Sequence, residues 1–144
     1  MSVRVFILKI IFIKSDKFSH RPGRINMISV LSNIQDDICN YADAISGITG
    51  TDVEIIDESL MRIAGTGKYR HMLNQNVSKN GYIYRHVLRV QETVLIKNPG
   101  ENALCQHCEK HLYCSEMLDL NAPIFLNNRV IGVIGIICST EEQR

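Results

Sequence analysis

The sequence predicts a single α+β domain in which an antiparallel sheet is flanked by helices. The chain has 144 residues, which is enough for one hydrophobic core and too few for two. Its apolar positions recur at helical spacing in some segments and alternate like strands in others. The predicted elements follow the order helix, hairpin, helix, strand and hairpin, which agrees with such a fold.

The composition excludes several protein classes. Apolar residues make up 45% of the chain, charged residues 22%, and Gly and Pro occupy only 9 and 3 positions, so the chain is expected to fold. Lys and Arg number 16 against 15 Asp and Glu, a formal charge of +1. A charge this small gives no global field for a nucleic acid or an anionic membrane, so DNA binding by this chain alone is disfavoured.

Residues 1–26 read as a poorly defined leader, and Met27 is the more natural start of the domain, which we place at 27–144. The apolar run near the start is interrupted by Lys9 and ends at Lys14. It is shorter than the roughly 20 residues that cross a bilayer, and no small-residue cleavage site follows. The sequence therefore predicts a cytoplasmic protein.

The first predicted helix covers residues 27–45 and ends near Gly47. Its apolar positions follow alternating steps of four and three residues: Met27, Leu31, Ile34, Ile38, Tyr41 and Ile45. This spacing is the narrow seam of a coiled coil, although it is short for one. Two interpretations stay open, a homodimer formed through this helix and packing on the protein's own sheet.

A β-hairpin is predicted next, with strands at 51–57 and 60–64, because both segments alternate and contain β-branched residues. The following Gly65-Thr-Gly-Lys68 ends like a phosphate-binding loop. Such a loop needs a glycine five positions before its Gly-Lys pair and a hydroxyl after it, where this chain has Arg62 and Tyr69. A glycine turn is therefore predicted instead of a nucleotide site.

The second half of the chain predicts a helix within 78–90, a strand at 93–96 and a hairpin of strands 122–126 and 129–138. The last of these strands is apolar on both faces, so both faces must be covered. Residues 139–144 begin like a helix, with a hydroxyl residue followed by acids. Because that helix stops within its first turn, the chain is expected to be a fragment of a longer protein.

Three of the five cysteines are clustered: Cys105, Cys108 and Cys114 lie within ten residues, together with His107 and His111. Two cysteines separated by two residues can face one ion through a tight turn, and the third follows shortly after. The spacing favours a metal centre, either zinc completed by one of the histidines or an iron–sulfur cluster.

Other interpretations of the cysteine segment stay open. Cys105 and Cys108 could form a thiol–disulfide switch, since an internal histidine can lower a thiolate pKa. A thioredoxin-type oxidoreductase is less favoured because its motif should follow the first strand of a βαβ unit, and unrelated surface cysteines are the simplest alternative. Cys138 and Cys39 are predicted to be small core residues. No catalytic triad or acid pair has a local signature, so no enzyme is predicted.

Several motifs together resemble the amino-terminal PAS/GAF-like sensory domain of sigma-54-dependent transcriptional regulators. The resemblance covers residues 28–144 and is most specific in the cysteine segment and the hairpin that follows. The matching residues are Asn98-Pro-Gly-Glu-Asn-Ala-Leu-Cys105 with Cys108 and Cys114, Ala122-Pro-Ile124, Val130-Ile-Gly-Val-Ile-Gly135 and Thr140-Glu-Glu-Gln-Arg144.

This resemblance implies a PAS/GAF-like antiparallel sheet with flanking helices and a role in sensing a signal. In full-length members an ATPase module and a helix-turn-helix domain follow, and these activities are not assigned to this chain. The family often has a further cysteine just before the Pro-Ile pair, where this chain has Leu120-Asn121-Ala122, so a four-thiolate cluster lacks one ligand. Two hypotheses follow: a redox- or metal-responsive sensor, and a small-molecule-binding module in which the cysteines form a structural clip.

Overall fold

The structure is a computed structural model, and it describes residues 28–143. The predicted leader 1–26 and the start at Met27 lie outside these residues. One antiparallel sheet contains five strands: β1 (Asp52–Asp57), β2 (Arg62–Gly65), β3 (Val94–Lys97), β4 (Leu118–Leu126) and β5 (Arg129–Cys138). Their order across the sheet is β2-β1-β5-β4-β3, so the long apolar β5 lies in the centre.

Helices and turns cover both faces of the sheet. The helices are α1 (Val30–Asn33), α2 (Gln35–Thr49) and α3 (Tyr82–Val90). Buried residues of α1 and α2 join one hydrophobic cluster with one face of the sheet, and those of α3 join a second cluster with the other face. Within residues 28–143, none of the helices is long and apolar enough to cross a membrane. The α+β class with an antiparallel sheet and flanking helices is confirmed.

The first predicted helix is present, but its course differs from the prediction. It is divided at Ile34, whose backbone leaves the helical region, and α2 continues to Thr49 instead of ending near Gly47. Gly50 ends it in the left-handed conformation, with φ of +71°, and donates its N–H to the Ser46 carbonyl. Glycine adopts this conformation at little cost, which explains why the helix ends at the later glycine.

The apolar seam of this helix packs on the protein's own sheet. Leu31 and Ile38 are buried in the cluster with β1 and β2, and Ala42 replaces Tyr41 as the next buried position. Tyr41 is 52% exposed, so the stripe follows the broader spacing of a surface helix on a sheet. Packing on the sheet is therefore confirmed, and a homodimer through residues 27–45 stays a prediction.

The predicted hairpins are present with small differences at their ends. The first comprises β1 and β2, and Gly67, with φ of +49°, makes the predicted glycine turn. The second comprises β4 and β5, but β4 begins four residues earlier than predicted. Residues 118–121 were missed because Asp119 and Asn121 are polar, although both are buried.

The second predicted helix begins at Tyr82, later than the predicted 78. Residues before it form a turn instead, in which the Val77 carbonyl accepts N–H groups from Asn80 and Gly81. After Cys138 the described chain forms one 3-10 turn, Glu141–Gln143. That turn is closed by the Gln143 side chain, which accepts the N–H of Ser139 at 2.8 Å.

Candidate ligand-binding site

A cavity of about 330 Å³ lies between the α3 side of the sheet, α3 itself and the segment 98–117 that joins β3 to β4. Side chains from all three parts line this cavity. Its size is at the lower end of the range for small-molecule sites.

The sheet carries one unusual row of residues beneath this cavity. Glu54 on β1, Gly135 on β5 and Asn121 on β4 lie directly opposite one another across the antiparallel pairs. Residues paired in this way point to the same face. A side chain at Gly135 would collide with the Asn121 amide and approach the Tyr84 ring, so the glycine leaves room for Tyr84 to pack on the sheet.

Glu54 is almost completely buried, at 3% exposure, and is held by two donors. The Arg62 side chain donates from Nε to Oε1, and the Tyr84 hydroxyl donates to Oε2. Arg62 also donates to the Met72 carbonyl at 3.1 Å. Burial raises the pKa of Glu54 above its ordinary value, and the Arg62 charge opposes that rise. The pair is therefore a buried ion pair in one wall of the cavity.

Two further acids face the cavity from the start of β4 and the residues before it. Glu116 accepts the Tyr69 hydroxyl at 2.6 Å. Asp119 is 2% exposed, and within residues 28–143 its Oδ1 has no hydrogen-bond partner. Burial, and then the charge of Glu116, raise the pKa of Asp119 well above its ordinary value, while Asn121 opposes the rise. A buried acceptor without a donor is energetically costly.

The structure places all three clustered cysteines on the same cavity. Cys105 is buried in the α3 cluster, whereas Cys108 and Cys114 are half-buried. Consecutive turns of the chain place the three cysteines on this cavity. In one of these turns the Cys108 N–H donates to the Cys105 carbonyl at 2.8 Å. Burial raises the pKa of Cys105 to about 12, with smaller contributions from Cys108 and Cys114. A thiol with so high a pKa is protonated and unreactive at neutral pH, which argues against a switch that uses its thiolate.

The two candidate histidines differ in position. His111 lines the cavity, and its Nδ1 donates to the Cys108 carbonyl at 2.9 Å, which leaves Nε2 as the acceptor nitrogen. His107 is exposed, stands near the Tyr82 ring and does not line the cavity. Of the two, only His111 is placed to act together with the thiols.

The remaining cysteines lie away from the cavity. Cys138 is buried at the end of β5, as predicted, and Cys39 on α2 is half-buried, with its thiol 3.6 Å from the Ile63 carbonyl. All five cysteines are free of disulfide bonds. In the described part of the chain, no three His, Cys, Asp or Glu side chains are grouped closely enough to hold a metal ion. A metal centre at Cys105, Cys108 and Cys114 stays a prediction.

The polar residues of the site were not predicted from the sequence: Glu54, Arg62, Tyr69, Tyr84, Glu116 and Asp119. Polar positions in alternating strands normally face solvent, so Glu54 and Asp119 gave no local signal. One feature of the sequence does indicate that these polar residues are buried. Strand β5 is apolar on both faces, so both sides of the sheet must be covered, and polar residues on its neighbouring strands are then buried as well.

No protein-family model matches the chain. It is 36% identical over 116 residues, 81% of its length, to UacR of Escherichia coli (strain K12), which is named as a uric acid sigma-54-dependent transcriptional regulator. The chain spans 20% of the length of that relative.

Three solved structures show the same fold at low sequence identity. A GAF domain of A. aeolicus nlh2 is 19% identical and has a TM-score of 0.57, over 74% of this chain and 69% of that chain. A GAF/HD domain protein of Geobacter sulfurreducens is 15% identical with a TM-score of 0.57, over 78% and 83% of the two chains.

The third is a free methionine-R-sulfoxide reductase of Thermoplasma acidophilum, 12% identical with a TM-score of 0.59, over 76% of this chain and 78% of that chain. The same fold thus occurs in GAF domains and in a reductase, so it does not by itself determine the activity. The chain has a GAF-like fold, and over most of its length it is similar to one segment of a sigma-54-dependent transcriptional regulator.

Proposed function

We propose that this chain is the sensory domain of a sigma-54-dependent transcriptional regulator and that a small-molecule effector binds in the cavity. The observation that carries the proposal is the cavity itself, with aromatic side chains beside buried polar groups. The role is binding, not catalysis. ATP hydrolysis and DNA contact would belong to further domains of a full-length regulator, as the resemblance implies.

The cavity is linked to the strand that leaves the domain. Lys68, which lines the cavity, donates to the Ser115 hydroxyl at 3.1 Å and to the Ser139 hydroxyl at 2.8 Å. The Met117 N–H bonds the Cys138 carbonyl at 2.8 Å. An effector that orders segment 98–117 would therefore shift the equilibrium of the residues that follow β5, which is what a sensory domain needs.

An effector should raise the melting temperature of the 144-residue chain. At a hundredfold excess over Kd, binding stabilises a folded protein by about 2.7 kcal/mol. Urate is the first compound to test, because the name of the Escherichia coli relative refers to uric acid. Differential scanning fluorimetry with urate and other small metabolites measures the shift.

A pair of neighbouring variants localises the binding. Asn80 lines the cavity and is exposed, so Asn80→Trp should block entry and abolish the shift. Lys79 is equally exposed but does not line the cavity, and Lys79→Trp should keep the shift. Equal shifts in both variants would place the effector elsewhere.

A second candidate function is the metal- or redox-responsive sensor predicted from the cysteine spacing, with zinc or an iron–sulfur cluster as its cofactor. What favours it is that Cys105, Cys108, Cys114 and His111 face one cavity. Since these side chains are too far apart for an ion, segment 98–117 would have to close around the metal. Three thiolates and one imidazole match a structural zinc site.

Zinc titration distinguishes the histidines. If the segment closes on zinc, His111→Ala should weaken zinc binding by at least tenfold, because that ring alone faces the thiols. His107→Ala is the matched control and should bind zinc like the parent. Competition with a chromophoric chelator gives the affinity, and three thiols that titrate freely in the presence of zinc would remove this candidate.

Dimerisation through residues 27–45 and a cytoplasmic location stay predictions. Light scattering tests the dimerisation.

A further inference from the structure

We infer that the cavity takes a small planar nitrogen compound that donates at least two N–H hydrogen bonds, and that it rejects ligands whose only polar groups are carboxylates or phosphates. The inference rests on the proposed function and specifies the effector class for the same site. The juxtaposition that carries it is the unpartnered Asp119 oxygen beside Glu116 on one wall, with Tyr69 and Tyr84 close by.

The cations that line this cavity are either already paired or exposed. Three carboxylates, Glu54, Glu116 and Asp119, and three cations, Arg62, Lys68 and Lys110, line it. The Arg62 guanidinium is already used by Glu54 and the Met72 carbonyl. Lys68 and Lys110 also line the cavity but are exposed, and Lys68 donates to two serines.

The missing hydrogen-bond partner of Asp119 determines which polar group a ligand must carry. Its Oδ1 is inaccessible to solvent and has no partner within residues 28–143, and the Asn121 amide beside it is unpartnered as well. A buried acceptor oxygen of this kind is stabilised by an N–H donor. One carboxylate oxygen of Glu116 accepts the hydrogen bond of the Tyr69 hydroxyl. Its second oxygen is a further hydrogen-bond acceptor.

Two other occupants fit these observations less well. A metal ion would need three ligands converging on one point, and none of the described acids, thiols and imidazoles converge in that way. An apolar compound would leave the Asp119 oxygen unsatisfied. A flat ring or amidinium group between the tyrosines can donate N–H groups to Asp119 and Glu116 while its faces contact aromatic surface.

Two matched sets of compounds test the inference on the 144-residue chain by scanning fluorimetry and calorimetry. The donor set contains adenine, cytosine, guanidinium and benzamidine, and the acceptor set contains benzoate, citrate and inorganic phosphate. We expect stabilisation by the donor set only. Binding confined to the acceptor set would overturn the inference while leaving the proposed function intact, and no binding in either set would count against both.

Variants at the wall make the test specific. Asp119→Asn should weaken binding of the donor set at least tenfold, because it replaces one carboxyl oxygen with an NH2 group that donates hydrogen bonds and cannot accept them. Glu109 is exposed and does not line the cavity, so Glu109→Gln should leave the affinity unchanged. Asparagine has nearly the shape of aspartate, so Asp119→Asn should leave the chain folded. Unchanged affinity in folded Asp119→Asn would overturn the inference.

Discussion

Replacing Arg62 with methionine should destabilise the domain by about 3–5 kcal/mol at pH 8, because Glu54 would be left as a buried charge without its partner. Both side chains of the pair are at least nine-tenths buried. This loss is a large part of the roughly 5–15 kcal/mol that holds a domain of this size folded. Urea unfolding followed by circular dichroism measures the change.

The pH dependence identifies the cause. Burial already raises the folded-state pKa of Glu54, and loss of Arg62 would raise it further above the unfolded value. A raised carboxyl pKa means that stability falls as the pH increases from the unfolded to the folded pKa. The penalty of Arg62→Met should therefore shrink towards pH 5. A penalty that is constant with pH would show that lost packing, not the unpaired charge, is responsible.

Two controls accompany this variant. The double variant Glu54→Gln with Arg62→Met removes both charges and should recover most of the lost stability. Arg70 and Asp43 form a second ion pair, but both side chains are about half exposed. Arg70→Met should therefore leave the stability almost unchanged, since solvent screens such a pair.

Gly132→Ala should destabilise the domain by about 3 kcal/mol, at the upper end of the range for overpacked cores. A Cβ atom at this position would lie 2.4 Å from the Ile56 carbonyl oxygen and 2.6 Å from a methyl group of Leu31. The carbonyl belongs to the neighbouring strand β1, so it cannot move aside without disturbing the sheet. Chemical denaturation gives the free energy of unfolding.

Gly47→Ala is the matched control for that substitution. Gly47 lies in α2, and a Cβ atom there would meet no atom within 4 Å. Alanine in a helix is favoured over glycine by about 0.5–1 kcal/mol, so this variant should be slightly more stable than the parent. If both variants lost stability to the same extent, the close approach at Gly132 would not be the cause.

The elements that could be predicted from the sequence are those with strong periodicity. Strand β5 was predicted at its observed bounds, because the nine residues after Arg129 in this strand are all uncharged and apolar or glycine, and such a strand belongs in the buried centre of a sheet. The first helix was predicted from its apolar stripe. The break at Ile34 was not, since a local change in backbone direction leaves that stripe nearly unchanged.

The site was predictable only in part. Cys105, Cys108 and Cys114 line one cavity, but their spacing in the sequence could not give the distances between their sulfur atoms, which depend on the turns of segment 98–117. The acids were missed for a different reason. Glu54 lies on β1 and Asp119 on β4, and they reach the same cavity only through the register of the sheet, which joins strands that are distant in sequence.

The most direct test of the cavity as the effector site is the alkylation rate of individual cysteines, read by mass spectrometry. A compound that raises the melting temperature of the chain should slow the labelling of Cys108 and Cys114, which line the cavity, and leave that of the half-buried Cys39 unchanged. Unaltered labelling of Cys108 and Cys114 in the presence of a compound that stabilises the chain would contradict the account.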